Sequence, residues 1–185
     1  MTTSMLWRLG MITLTVVVYL AMVATNEWLF TDFELTDGAF WIYLPAGVRL
    51  IFTLMFGGIG ALGIFIAALI ATRIYYFPDD FISSIADATA CAIGPYIIYR
   101  FMAYRFNLRN GCLQNLTPSI LLGCSVAFAL GNSVLQHSWL IPMGYTAQPY
   151  NSLIVMFVGD LLGTLIVLYA IKVLLHWFSK PSVQH

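Results

Sequence analysis

Between Ala39 and Phe77 the chain runs for 39 residues with only Arg49 and Arg73 interrupting its apolar character. As one helix this stretch would reach about 58 Å, roughly twice the ~30 Å hydrocarbon core of a bilayer. It must fold back, and Gly57-Gly58 is the plausible turn, because glycine lets two helices reverse tightly. The expected result is a hairpin of helices over 39–56 and 59–77, closed by Pro78-Asp79-Asp80. Cutting the remaining apolar runs at charges and turn residues gives further spans over 9–28, 81–104, 118–139 and 152–178. Composition points the same way: 61% of residues are hydrophobic and 9% charged, where a soluble domain carries about 25% charged. A soluble domain of this length could not hide so much apolar surface. A formal net charge of zero argues against a basic nucleic-acid binder. The fold class expected is all-α, a single polytopic membrane bundle of six transmembrane helices whose partner is the lipid bilayer.

Orientation follows from the flanking charges. With the N-terminus inside, Arg8, Arg100, Arg105, Arg109, Lys172 and Lys180 lie on the cytoplasmic side. Glu27, Asp32, Glu34, Asp37, Asp79 and Asp80 lie outside, and an even number of spans puts both termini in the cytoplasm. The first helix is expected to stay uncleaved, since Ala21 and Ala24 have the wrong spacing for a signal-peptide site. Asn115-Leu116-Thr117 matches a glycosylation acceptor but falls on the cytoplasmic side of this topology. The chain ends seven residues beyond Phe178, so any output is expected to pass to a partner protein.

Helix packing in lipid relies on small residues that let backbones approach. They recur at four-residue spacing as Gly63, Ala67 and Ala71; Ala86, Ala90 and Gly94; and Gly123, Ala127 and Gly131. Gly159 and Gly163 form a literal G-x-x-x-G. All are expected to pack helices within one bundle. Pro45 and Pro95 fall inside apparent helices and should kink them. Gly58 to Gly63 matches G-x-G-x-x-G, but a dinucleotide site needs a preceding strand and a βαβ unit. The glycines are a turn and a packing face. Cys91, Cys112 and Cys124 form no metal or redox spacing and read as small packing residues. No metal or cofactor is expected.

Four charges do not sit at span ends. Arg49, Arg73, Asp87 and Asp160 fall in one layer, roughly 7–15 Å beneath the outer surface at 1.5 Å per residue. Asn132 and Gln136 add an i, i+4 polar pair at that level. A central charge costs about 2.5–3.5 kcal/mol on an insertion scale, so pairing, water or a ligand must offset it. The expectation is that the two arginines face the two aspartates across the interior, around an outward-facing site for a small polar solute. The competing readings are a closed ion-pair network that fixes helix register and a proton or ion path. Aromatic residues near the mouth (Trp28, Trp41, Tyr43, Trp139, Tyr145, Tyr150) read more readily as interface anchors than as a binding cage.

Trp41-Ile42-Tyr43-Leu44-Pro45-Ala46-Gly47, followed by an apolar helix, Gly57-Gly58 and a second apolar helix, resembles the membrane-associated sensor domain (MASE-type, first class). Gly159-Asp160-Leu161-Leu162-Gly163 resembles the late Gly-Asp-x-x-Gly helix of that family. The resemblance covers residues 39–175 and rests on Trp41, Pro45, Gly47, Gly159, Asp160 and Gly163. It implies a bacterial inner-membrane sensor, here in a shortened stand-alone form, since family members have more spans and continue into a cytoplasmic kinase or cyclase. Size and topology are also similar to the substrate-capture subunit of energy-coupling-factor vitamin transporters, the alternative function. No Ser/His/Asp or Cys/His set falls at one depth and no H-E-x-x-H pattern occurs, so the chain is not expected to be an enzyme.

Overall fold

A computed structural model describes residues 2–30, 34–36, 39–106, 117–145 and 148–178. Cys112, Arg109, Lys180, Asp32, Asp37 and the Asn115-Leu116 pair, all assigned roles or sides above, lie outside the described residues. Six α-helices follow one another: α1 (Thr2–Phe30), α2 (Pro45–Phe56), α3 (Gly58–Ala71), α4 (Phe81–Phe106), α5 (Pro118–Leu140) and α6 (Pro149–Phe178). A π-helical turn, Thr72–Tyr76, prolongs α3. A minimal antiparallel ribbon of β1 (Glu34–Thr36) and β2 (Ala39–Phe40) precedes α2. Among the described residues five segments are long and apolar enough to cross a membrane: Met5–Phe30, Gly58–Tyr76, Phe81–Arg105, Pro118–Leu140 and Pro149–Trp177. The chain is a multi-pass helical membrane protein.

The second expected span is corrected. Helix α2 has 12 residues rather than the eighteen of 39–56, so it rises only about 18 Å. Pro45 starts this helix instead of kinking it. Its fixed φ and missing N–H suit the first helical turn, where that N–H would have no partner. The chain ahead of it is anchored from α1, where Asn26 Oδ1 accepts the Leu44 N–H at 2.9 Å. Pro95 does lie inside a helix, as expected.

So short a helix persists because the others surround it. Nine of its twelve residues are buried, Arg49 among them. One apolar cluster joins Val48 to Tyr19 and Val23 of α1, to Ile64, Ala67 and Ala68 of α3, and to Ala88 of α4. A second joins Ala46, Leu50 and Leu54 to Phe40, Tyr43, Met102 of α4 and Phe128 of α5. Any polar side chain on α2 therefore faces protein rather than lipid.

The hairpin turn stands where expected and is one residue long. Gly57 ends α2 and precedes α3 at φ +59° and ψ −132°, a conformation reserved to glycine. Gly58 has ordinary helical surroundings, with the nearest neighbour 3.7 Å from where a Cβ would stand. Gly57→Ala should therefore lower the melting temperature of detergent-solubilised protein, by strain of about 1–3 kcal/mol. Gly58→Ala should leave it near wild type. Equal effects from the two would place the strain elsewhere.

The small-residue stripes divide. Gly63, Ala67 and Ala71 are buried, and a Cβ on Gly63 would lie 2.8 Å from Thr15 Cβ of α1. Ala90 and Gly94 are also buried, with Ala86 half-buried. The expectation fails for α5, where Gly123, Ala127 and Gly131 are exposed and the two glycines have nothing within 4 Å. The face of α5 turned inward carries Cys124, Phe128, Asn132 and Gln136 instead. Burying that polar pair fixes the rotation of the helix and leaves the small residues outside.

Candidate functional site

Arg49 is the fifth residue of α2 and only 2% exposed. Its Nη2 lies 3.8 Å from Asp160 Oδ1 on α6, so the partner of Asp160 comes from another helix, as its sequence neighbourhood required. Its Nη1 donates to Asn132 Oδ1 of α5 at 3.4 Å and to Cys91 Sγ of α4 at 3.3 Å. Asn132 in turn donates a short hydrogen bond from Nδ2 to Asp160 Oδ2. The Cys91 thiol donates to Asp87 Oδ2 at 3.6 Å, and Gln136 Nε2 reaches Cys91 Sγ at 3.5 Å. The Tyr43 ring lies 4.9 Å from the Arg49 guanidinium carbon, in cation–π range. Three charges from α2, α4 and α6 thus meet beside two amides of α5.

The GxxxG residues make this meeting possible. Rather than joining two helices, Gly159 and Gly163 seat the backbone that leads into α2. A Cβ on Gly159 would collide with the Phe40 carbonyl oxygen, and one on Gly163 with that of Tyr43. The Tyr43 N–H donates to the Gly159 carbonyl at 3.1 Å. A Cβ on Gly47 would stand 2.6 Å from Val167 Cβ. The two sequence motifs therefore pack on each other, and their contact carries Asp160 to Arg49. Trp41 remains 43% exposed and takes no part in the charge centre.

Arg73 does not belong to the site. It is exposed, its guanidinium lies 5.9 Å from the Phe81 ring, and Nη1 points to the Phe77 carbonyl at 3.5 Å. Its rotation around α3 separates it from the other five. It follows Leu62, Ile66 and Ile70 around α3, and these form the exposed face of that helix. The centre therefore holds one guanidinium and two carboxylates, a formal charge of −1, rather than the balanced set expected.

A cavity of about 40 Å³ opens between these groups, lined by Arg49, Asp87, Cys91, Asn132, Gln136 and Asp160 and by apolar or aromatic side chains including Tyr43, Tyr76 and Phe77. One water needs roughly 10–15 Å³, so the cavity has room for a few. Arg49 Nε lacks a hydrogen-bond partner although the side chain is buried. Over the cavity, Phe77 packs edge-on against Trp139 and Tyr145, at centroid distances of 5.5 and 4.8 Å. Trp139 Nε1 donates to Gln136 Oε1 at 2.9 Å, which ties this aromatic group to the polar centre. These residues are not simple interface anchors, whereas Trp28 and Tyr150, 83% and 85% exposed, match that description.

Asp80 clasps the aromatic group from the turn before α4. It caps that helix through the N–H groups of Ile82 and Ser83 and accepts the Tyr145 hydroxyl at 2.7 Å. The Ser83 hydroxyl first, then the Tyr145 hydroxyl, hold its carboxyl at about 2, below the ordinary value of about 3.9. Because the folded value is depressed, the clasp is complete above about pH 4 and is lost as pH falls toward 2. Tyr145→Phe should raise the Asp80 midpoint, and Ser83→Ala should raise it more, as read by carbon-13 NMR of the carboxyl. A midpoint unmoved by either substitution would remove the clasp.

Comparison with protein-family models, curated proteins and solved structures finds no match. The site stands on its geometry. Of the six polar residues singled out from sequence, five meet here and Arg73 does not. Cys91, one turn from Asp87 on its helix face, reads from sequence as a packing residue and Tyr43 as an interface anchor; both touch Arg49 here.

Proposed function

We propose that this chain is a multi-pass membrane sensor of the bacterial inner membrane, with both termini cytoplasmic. A small occupant of the Arg49–Asp160 centre would bias the seating of α2 on α6, and the bias would pass to a partner protein. The observation carrying this reading is the position of Arg49. The buried, half-length helix α2 is held to α6 by one ion pair and a glycine saddle, and it continues through Gly57 alone into α3. A change at the centre can therefore move an element that touches most of the bundle. The alternative, a vitamin-capture transport subunit, fits the volume poorly. Ligand pockets usually enclose about 300–1,000 Å³, against about 40 Å³ here.

In-membrane crosslinking of the full chain, followed by identification of what it captures, tests the reading. A kinase or cyclase whose output changes in the double variant Arg49→Leu/Asp160→Leu is the expected result. Capture of an ATP-hydrolysing complex, with solute uptake into proteoliposomes, would replace sensing with transport. A double variant that folds and keeps wild-type output would reduce the centre to a structural network.

A further inference from the structure

The charge count at the centre does not close, and the way it fails points to an occupant. Asp87 faces the cavity from α4 and is half-buried, while Arg49 is engaged with Asp160. Among the described residues Arg73, the other expected cation, lies outside the cavity. One carboxylate is in excess. We propose that Asp87 is a reversible proton-binding site filled from the water of this cavity, and that its protonation decides whether Arg49 is shared between α4 and α6 or held by Asp160 alone. This rests on the reading of the cavity as the ligand site and names the ligand.

A proton fits better than a metal cation for three reasons. The cavity admits a few waters, too little for an ion with a full hydration shell. A metal cation beside Asp87 would stand near the Arg49 guanidinium, which reaches Cys91 at 3.3 Å while Cys91 reaches Asp87 at 3.6 Å. Among the described residues no group of three His, Cys, Asp or Glu side chains is disposed to hold a metal ion.

The step balances simply. A hydronium from bulk solvent gives its proton to an Asp87 oxygen and leaves water, and the centre passes from −1 to neutral. With Asp87 neutral, Arg49 loses its pull toward α4 and the Asp160 pair alone fixes it. The titratable and charged groups around Asp87 are Arg49 of α2, Tyr43 ahead of α2, Tyr76 of the π-helical turn, Cys91 of α4, Asp160 of α6 and, behind them, Tyr19 of α1 and Glu27 of α1, which accepts the Tyr76 hydroxyl. Helix α5 contributes uncharged side chains to this cavity, Asn132, Gln136 and Leu140.

Infrared difference spectra of the full chain in lipid nanodiscs, taken across a pH series in sodium, potassium or choline chloride, test the proposal. The expected result is a carboxylic C=O band, over and above those of the other seven Asp and Glu, that rises on acidification, shifts in D₂O and is the same in all three salts. It should vanish in Asp87→Asn, persist in Asp160→Asn and move in frequency in Asp87→Glu. The glutamate variant serves if the asparagine variant does not fold. Titration spectra of Asp87→Asn that match wild type, with no band lost, overturn the proposal. A response to sodium or potassium at fixed pH, missing in choline, would make the occupant a metal cation and overturn it too. Failure is separable from that of the sensor reading. A titrating Asp87 in a chain captured with a transport ATPase keeps the proton site and loses signalling, while a signalling complex with no titrating Asp87 does the reverse.

Discussion

Leucine at Gly163 should leave no folded chain to solubilise, and alanine there should come close to the same result. A Cβ at this position meets the Tyr43 carbonyl oxygen, the Tyr43 carbonyl carbon and the Leu44 nitrogen, all backbone atoms that cannot rotate aside. Relief requires α6 to move away from the segment ahead of α2. That movement breaks the Tyr43 N–H bond to Gly159 and stretches the Arg49–Asp160 pair. Overpacking alone costs about 1–3 kcal/mol, and stranding a backbone polar group away from water adds several more. Against a typical stability of about 5–15 kcal/mol, the combination removes most of the fold. Gly131→Leu is the control. Nothing lies within 4 Å of that position, so its effect should stay within about 0.5 kcal/mol. Size-exclusion profiles and melting curves of fluorescent fusions measure both. A Gly163→Ala chain that melts with wild type would show that the saddle is looser than the geometry states.

The same glycine shows what a linear pattern can and cannot reveal. G-x-x-x-G marks a close backbone approach, and one is present, but the pattern does not say what approaches. Here it is the five-residue run Phe40 to Leu44, a non-helical segment no periodicity would bring to α6. The turn at Gly57 was legible because length forced it: an apolar run too long for a bilayer has to reverse. The start of α2 was misread because apolar residues continue on both sides of Pro45. Proline's preference for a first helical turn decides between kink and start, and hydropathy does not register it. Asn26, which fixes that start, lies between Thr25 and Glu27 near the end of α1, and nothing in the sequence pairs it with Leu44.

Depth and rotation were not equally legible either. Counting residues from a span end gives depth, and it placed Arg49, Asp87, Asn132, Gln136 and Asp160 at one level. Rotation requires knowing which face each helix buries. For α3 the exposed series Leu62, Ile66, Ile70 carries Arg73 to the outside. On α5 the inward pair Asn132 and Gln136 carries Gly123 and Gly131 there as well. In a membrane the outward face is as apolar as the inward one, so periodicity loses the contrast that makes it decisive in soluble helices. Polar residues then become the better guide to rotation.

Single and paired substitutions at the charge centre should give an asymmetric result. Arg49→Leu leaves Asp160 and Asp87 together in a buried cavity with no cation, and removing one member of a buried pair costs about 3–5 kcal/mol. Asp160→Leu should cost less, because Arg49 already leans toward Asp87 through Cys91 and can turn to it. The double variant Arg49→Leu/Asp160→Leu should recover part of the Arg49→Leu loss, since only one carboxylate remains and a proton can neutralise it. Adding Asp87→Asn should recover more and should flatten the pH dependence of the melting temperature. Melting curves of the four variants across pH measure the ordering. If Asp160→Leu is the worse single change, Asp87 is too far from Arg49 to compensate and the centre is a two-residue pair. If the ordering holds, α4 and α6 compete for the one arginine of α2, and that competition is a two-state element that a single proton can bias.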